Sequence, residues 1–234
     1  MKLGPTIFYK CPFCPALYKE TSIMSSNNFF DVSYSDGYSD SVPRPGLTKC
    51  KACTKFFWIS QATRLGEVDF AGVNAEEGLV SYIEGCRRIT PAEWRSATSF
   101  SELNTVEFLS AIDEGSATIE KEELYLRKNL WWKMNDAFRC LKPGTRAKRG
   151  HPRFTENLER LLVLLQKEND QDHGAAEIHT IMKAEVLRQL RDFKKSLALL
   201  ISIKTGERGW ILEQLKQECI LENDLVFKLR YPAG

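Results

Sequence analysis

At 234 residues with a formal net charge of +2, the chain is long enough for one large domain or two small ones, and too near neutral for bulk charge to point to a polyanionic partner. Hydrophobic residues make up 43% and charged residues 27%, the balance of a soluble globular protein rather than a disordered one. No apolar run approaches the roughly 18 residues that span a bilayer, and the opening Met1-Lys2-Leu3-Gly4-Pro5 lacks the apolar core of a secretory signal. A cytoplasmic location with no membrane partner is expected.

The predicted elements begin with a strand, Ile7-Phe8-Tyr9, that runs into Cys11-Pro12-Phe13-Cys14. Phe30, Val32 and Tyr34 alternate within Asn28–Tyr34 and predict a second strand, followed by the turn signal Ser35-Asp36-Gly37. Pro43, Pro45 and Gly46 mark a loop before Cys50-Lys51-Ala52-Cys53, and Phe56-Phe57-Trp58-Ile59 predicts a short strand leaving it. Residues 76–83 read as a short helix. Thr90 reads as a cap and Pro91 as the first position of another.

From about residue 101 the spacing turns helical. Thr105–Ile112 reads as a helix ended near Gly115, and Glu120–Cys140 as a longer one carrying Leu124, Trp131, Met134 and Phe138 on one stripe, widened by Leu126 and Leu130. A basic loop follows, and then a helix whose apolar face is Leu158, Leu161, Leu162 and Leu165. Gly174–Gln189 and Asp192–Lys204 read as a helix pair, Trp210–Asn223 as a further helix and Leu225–Leu229 as a closing strand. The expected fold class is α+β, a small β-rich zinc-ribbon unit over 1–60 followed by a mainly α-helical domain of antiparallel helix pairs over 61–234.

Of seven cysteines, Cys86, Cys140 and Cys219 are scattered and read as small buried hydrophobes. The other four form two CxxC pairs. Each CxxC turn aims two thiolates at one point, and two such turns together make a closed tetrahedral site, so Cys11, Cys14, Cys50 and Cys53 are the predicted ligands of a structural zinc ion. The 35 residues between the pairs exceed the roughly 15–20 of a simple ribbon, which makes this an elaborated one. Iron in an all-thiolate site and a dithiol redox pair are the competing chemistries. Lys10, Lys49 and Lys51 flank the ligands and offset part of the thiolate charge.

Lys142, Arg146, Lys148, Arg149 and Arg153 fall within twelve residues that hold no acid, a local candidate for nucleic-acid or phosphate contact, against which stands the plainer reading of a solvated loop. Lys51 and Lys55 beside the ribbon aromatics Phe8, Tyr9, Phe13, Tyr18, Phe56, Phe57 and Trp58 are a second candidate; those aromatics otherwise form the mini-core around the metal. Trp131 belongs to the core stripe, and Trp132 points about 100° away, toward the ribbon or an interface. No P-loop, nucleophile elbow or HExxH is present, and His151, His173 and His179 pair with no Asp or Cys. The chain is therefore expected not to be an enzyme.

Lys183 to Leu200 resembles the centre of a tetratricopeptide-type helix hairpin through Ala184, Leu187, Leu190, Asp192, Phe193, Leu199 and Leu200. Arg191 stands where that family usually has Gly, and Ser196 where it usually has Ala. More broadly the chain resembles a group of uncharacterised bacterial proteins with an N-terminal four-cysteine ribbon and a C-terminal tetratricopeptide-like region. That likeness rests on the CxxC pairs, Ser35-Asp36-Gly37, Pro43, Pro45, Phe57-Trp58, Glu123-Leu124, Trp131-Trp132, Asn135-Asp136, Arg139, Trp210, Gln214, Lys216, Cys219, Asn223 and Val226. It implies architecture and a bacterial cytoplasmic setting but no activity. The function expected is a non-catalytic zinc-binding adaptor that docks a protein partner, with nucleic-acid binding as the alternative and an enzyme whose site is assembled from distant residues as the third reading. The oligomeric state is left open.

Overall fold

The computed structural model describes residues 2–25, 32–39, 45–68, 89–139, 151–167, 173–203 and 208–231. The chain divides into two compact units, Met1–Phe29 with Val42–Glu107, and Phe30–Ser41 with Phe108–Gly234. The division falls near residue 107 rather than near 60, because the elements Thr63–Val68, Pro91–Ser96 and Thr98–Ser99 complete the first unit. The middle of the stretch between the two cysteine pairs belongs to the second.

In the first unit, β1 (Lys2–Lys10) pairs antiparallel with β2 (Leu17–Ser25) on one side and β5 (Thr63–Val68) on the other. β6 (Thr98–Ser99) lies parallel to Tyr18 and Lys19 at the edge of β2. Gly4, Thr6 and Phe8 are buried while Pro5, Ile7 and Tyr9 are half-buried, the period of two that a strand with one inward face requires. Pro5 has no N–H to give the ladder, and the β1–β2 register shifts between Leu3 and Thr6. β3 (Leu47–Lys49) and β4 (Phe56–Trp58) form a separate two-stranded hairpin. Helix α1 (Pro91–Ser96) starts as its sequence predicts, with Thr90 and Glu93 forming a reciprocal capping box. Phe8, Val68, Ile89 and Ala97 form one core, with Trp94 against Phe8.

Helix α2 (Thr105–Asp113) ends at Gly115, whose φ of +70° is one that glycine adopts without strain. In the second unit α3 (Glu120–Arg139) buries Leu126, Leu130, Trp131 and Met134, while Leu124 and Phe138 of the expected stripe are half-buried. α4 (Phe154–Lys167) buries Leu158, Leu161, Leu164 and Leu165, with Leu162 half-buried. α5 (His173–Gln189), α6 (Phe193–Ser202) and α7 (Gly209–Ile220) follow, each helix from α3 onward packing antiparallel on the next. Ala184, Leu200, Leu212, Leu215 and Cys219 form their shared core.

The strand expected over Leu225–Leu229 does not form. Only Lys228 bridges, to Tyr34, because the chain on the far side turns at Ser35–Gly37 and offers no ladder. Of the expected strand over residues 28–34, residues 28–31 lie outside the described residues, as do the helix expected over 76–83, Cys86 and Cys140.

Candidate metal centre and a buried charge cluster

The end of β1 delivers Cys11 and Cys14, and the β3–β4 hairpin delivers Cys50 and Cys53. Each pair sits on a tight turn. The Cys11 amide donates to the Ala16 carbonyl at 3.0 Å and the Cys50 amide to the Lys55 carbonyl at 2.9 Å. The Phe13 amide points at the Cys11 sulfur (3.4 Å) and the Cys53 amide at that of Cys50 (3.5 Å). Thr54 closes the second turn with a φ of +61°.

All four Sγ atoms lie within 4.8 Å of one another, with Cys14 and Cys50 3.5 Å apart and Cys11 and Cys53 3.9 Å apart. Four thiolates about 2.3 Å from a tetrahedral zinc ion stand about 3.8 Å apart along each edge, so the donor set fits such an ion with no open position. Cys11 and Cys50 are buried, and Cys14 and Cys53 are half-buried. Tyr18, Phe57 and the half-buried Phe100 pack behind them, with Tyr18 and Phe100 stacked at 4.9 Å. Burial pushes the Cys11 thiol up to about 12. At Cys50 burial acts in the same sense, but hydrogen bonds from the Tyr18 hydroxyl and the Cys53 and Ala52 amides outweigh it and bring the thiol down to about 6.

Beyond its place in the mini-core, Tyr18 bonds the second turn directly: its oxygen accepts the Lys51 amide at 3.2 Å and its hydroxyl is hydrogen-bonded to Cys50. Of the flanking cations, Lys10, Lys51 and Lys55 are exposed. Lys55 lies 5.0 Å from the centre of the Phe13 ring, itself 51% exposed. Phe57 and Tyr18 join the mini-core as expected, but Phe8 belongs to the other core of the unit. Among the basic-loop candidates, Lys142, Arg146, Lys148 and Arg149 lie outside the described residues. Arg153 is ion-paired with Asp113 at 2.8 Å and Glu156 at 3.2 Å, which compensates its charge.

The second unit holds a cluster absent from the sequence reading. The Asp36 side chain is fully buried, and its Oδ2 accepts from Arg139 at 2.8 and 3.0 Å and from Asn135 at 2.9 Å. Its Oδ1 accepts the Tyr38 amide, and its carbonyl accepts the Trp132 indole N–H at 2.9 Å. The Arg139 guanidinium lies over the Tyr34 and Tyr38 rings. Trp132 therefore packs on the segment between the cysteine pairs, edge-on to Tyr38.

A hydrogen-bonded chain leads inward through Gln189, which accepts from Trp131 at 2.8 Å and donates to Glu185 at 2.7 Å. Glu185 and Arg188, both fully buried, pair at 2.6 Å. Ser35 donates to Glu185 at 2.8 Å, and Arg188 donates to the Asn223 and Leu225 carbonyls. Burial pushes the Asp36 carboxyl up to about 6, against the opposing pull of Arg139 and Asn135. Ser35-Asp36-Gly37 reads in sequence as a turn, and nothing local announces that Ser35 and Asp36 are buried.

No family model matches the chain, and searches of curated proteins and of solved structures find no match.

Proposed function

We propose that the chain is a zinc-binding, non-catalytic interaction protein, in which the metal folds the ribbon and the helices present a surface to a protein partner. The observation that carries the metal is the set of four cysteine sulfurs within 4.8 Å of one another. Four thiolates fill the coordination sphere and leave no position for substrate, which favours a structural over a catalytic ion. Support for a helical scaffold comes from the α5–α6 hairpin. Arg191 takes a φ of +67°, the backbone that the tetratricopeptide-type turn takes with glycine, and Ser196 is buried with its hydroxyl donating to the Ala184 carbonyl at 2.7 Å. The step from scaffold to partner is an argument from architecture. A cytoplasmic setting keeps such thiols reduced.

Purification without added metal should give about one zinc per chain, lost when Cys50 is replaced by Ser. Iron would show as a coloured thiolate complex, and a metal-free protein would overturn the reading. Loaded protein should retain a partner that the chelated protein releases.

A nucleic-acid reading is favoured by one observation. Residues 5–19 and 45–66 contain Lys10, Lys19, Lys49, Lys51 and Lys55 but no acid. The open cleft beside the second knuckle, about 480 Å³, is lined by Lys51 and Tyr18 without a carboxylate. It predicts a nucleic-acid absorbance ratio on purification that collapses in high salt and in the Lys51→Glu, Lys55→Glu double variant. A ratio typical of protein in both washes contradicts it.

A further inference from the structure

The 35 residues between the ligand pairs start and end in the ribbon unit, yet their middle, Phe30–Ser41, belongs to the helical unit. The chain thus crosses between units at 29/30, 41/42 and 107/108, the last inside α2 (Thr105–Asp113). Within the insert, Ser33–Ser39 is held by Asp36 on Arg139 and Asn135, by Ser35 on Glu185, and by the backbone bridge from Tyr34 to Lys228. β2 ends at Ser25 and β3 begins at Leu47, so only residues 26–32 and 40–46 join this latch to the strands that lead to the metal ligands.

We propose that the metal centre and the Asp36–Arg139 latch are thermodynamically coupled through this insert, so that loading the four cysteines tightens the latch and opening the latch weakens metal retention. The inference rests on the zinc reading above. The metal fixes Cys14 beside Cys50 and so anchors both ends of the insert. Ordering the middle of a loop loses less conformational entropy when its ends are already fixed, and closing the ends loses less when the middle is. Among the described residues the second knuckle is otherwise held in its unit by Thr48 donating to the Ser101 carbonyl at 2.9 Å, by the Lys51 amide on the Tyr18 oxygen and by Phe57 against Tyr18. Linkage makes the effect reciprocal: the factor by which the latch strengthens zinc binding is the factor by which zinc strengthens the latch.

Hydrogen exchange on the full chain, before and after removal of zinc by a chelator, tests this directly. The amides of Ser35, Tyr38 and Leu229, which donate to the Phe227 carbonyl, Asp36 Oδ1 and the Ser33 carbonyl, should exchange about fivefold or more faster once zinc is gone, while those of α4 hold. In competition with a chromophoric chelator, Asp36→Asn should bind zinc about fivefold more weakly. Arg160→Ala, which breaks the half-exposed pair with Glu123 in the same unit, should bind it as the parent does. Unchanged exchange at the three amides, or equal loss of affinity in both variants, overturns the coupling. A parent chain that binds no zinc defeats the metal reading instead, which separates the two failures.

Discussion

Asp36 is the residue whose chemistry departs furthest from its place in the sequence. Its folded carboxyl holds a proton up to about pH 6, against 3.8 for an ordinary aspartate, so between those values the folded state binds more protons than the unfolded one. Its contribution to stability is therefore greatest below about pH 4, falls as pH rises through this window and levels off above about 6, a swing of about 3 kcal/mol. Subtracting the unfolding free energy of Asp36→Asn at each pH isolates that term; a difference that grows with rising pH contradicts it. Arg139→Met leaves the carboxylate buried without its counter-charge and should cost about 3–5 kcal/mol at pH 7 in denaturant unfolding. The Arg160–Glu123 pair, half-exposed at 41% and 22%, should cost under about 1 kcal/mol when broken.

At the scale of elements, two short-range devices set where helices start and stop. The Thr90 hydroxyl accepts from the Glu93 amide at 3.2 Å, and the Glu93 carboxylate accepts from the Thr90 amide at 2.9 Å. Thr90→Ala should remove about 1 kcal/mol of stability, read as a lowered unfolding midpoint. Arg191 sits between α5 and α6 with a φ of +67°, which strains any residue with a Cβ. Arg191→Gly should stabilise the helical unit by about 0.5–1 kcal/mol, the relief of strain being partly offset by glycine's greater freedom in the unfolded chain. A lowered thermal midpoint in this variant would mean that the arginine side chain, not its backbone, decides the turn.

For the whole molecule the zinc proposed for the four-cysteine cluster carries the largest expected effect. The core behind the sulfurs comprises little beyond Tyr18, Phe57 and their half-buried neighbours, so an ion bound there would supply folding free energy to the two knuckles. Chelation at neutral pH should lower the first thermal transition and flatten the near-ultraviolet circular dichroism from the Tyr18–Phe100 stack. An unchanged aromatic signal after complete zinc removal would show that the sheet holds the knuckles alone. Among the described residues no helix is long and apolar enough to cross a membrane.

The sequence by itself determined the four-cysteine cluster and most helices, because both are written locally: CxxC turns direct their own thiols, and caps, prolines and 3.6-residue periodicity lie within a few positions of what they specify. Only the tertiary structure decided the rest. Glu185 and Arg188, three residues apart, are both buried by packing, which their spacing does not specify. Asp36 and Arg139 are brought together across more than a hundred residues, and no local pattern encodes that pairing. The closing strand failed for the same reason, since Leu225–Leu229 has strand propensity but a ladder needs a partner, and Tyr34 supplies a single bridge. The unit boundary followed likewise from pairing at a distance, β5 onto β1 and β6 onto β2, which draws residues beyond 60 into the ribbon unit while the segment around Asp36 is drawn out of it.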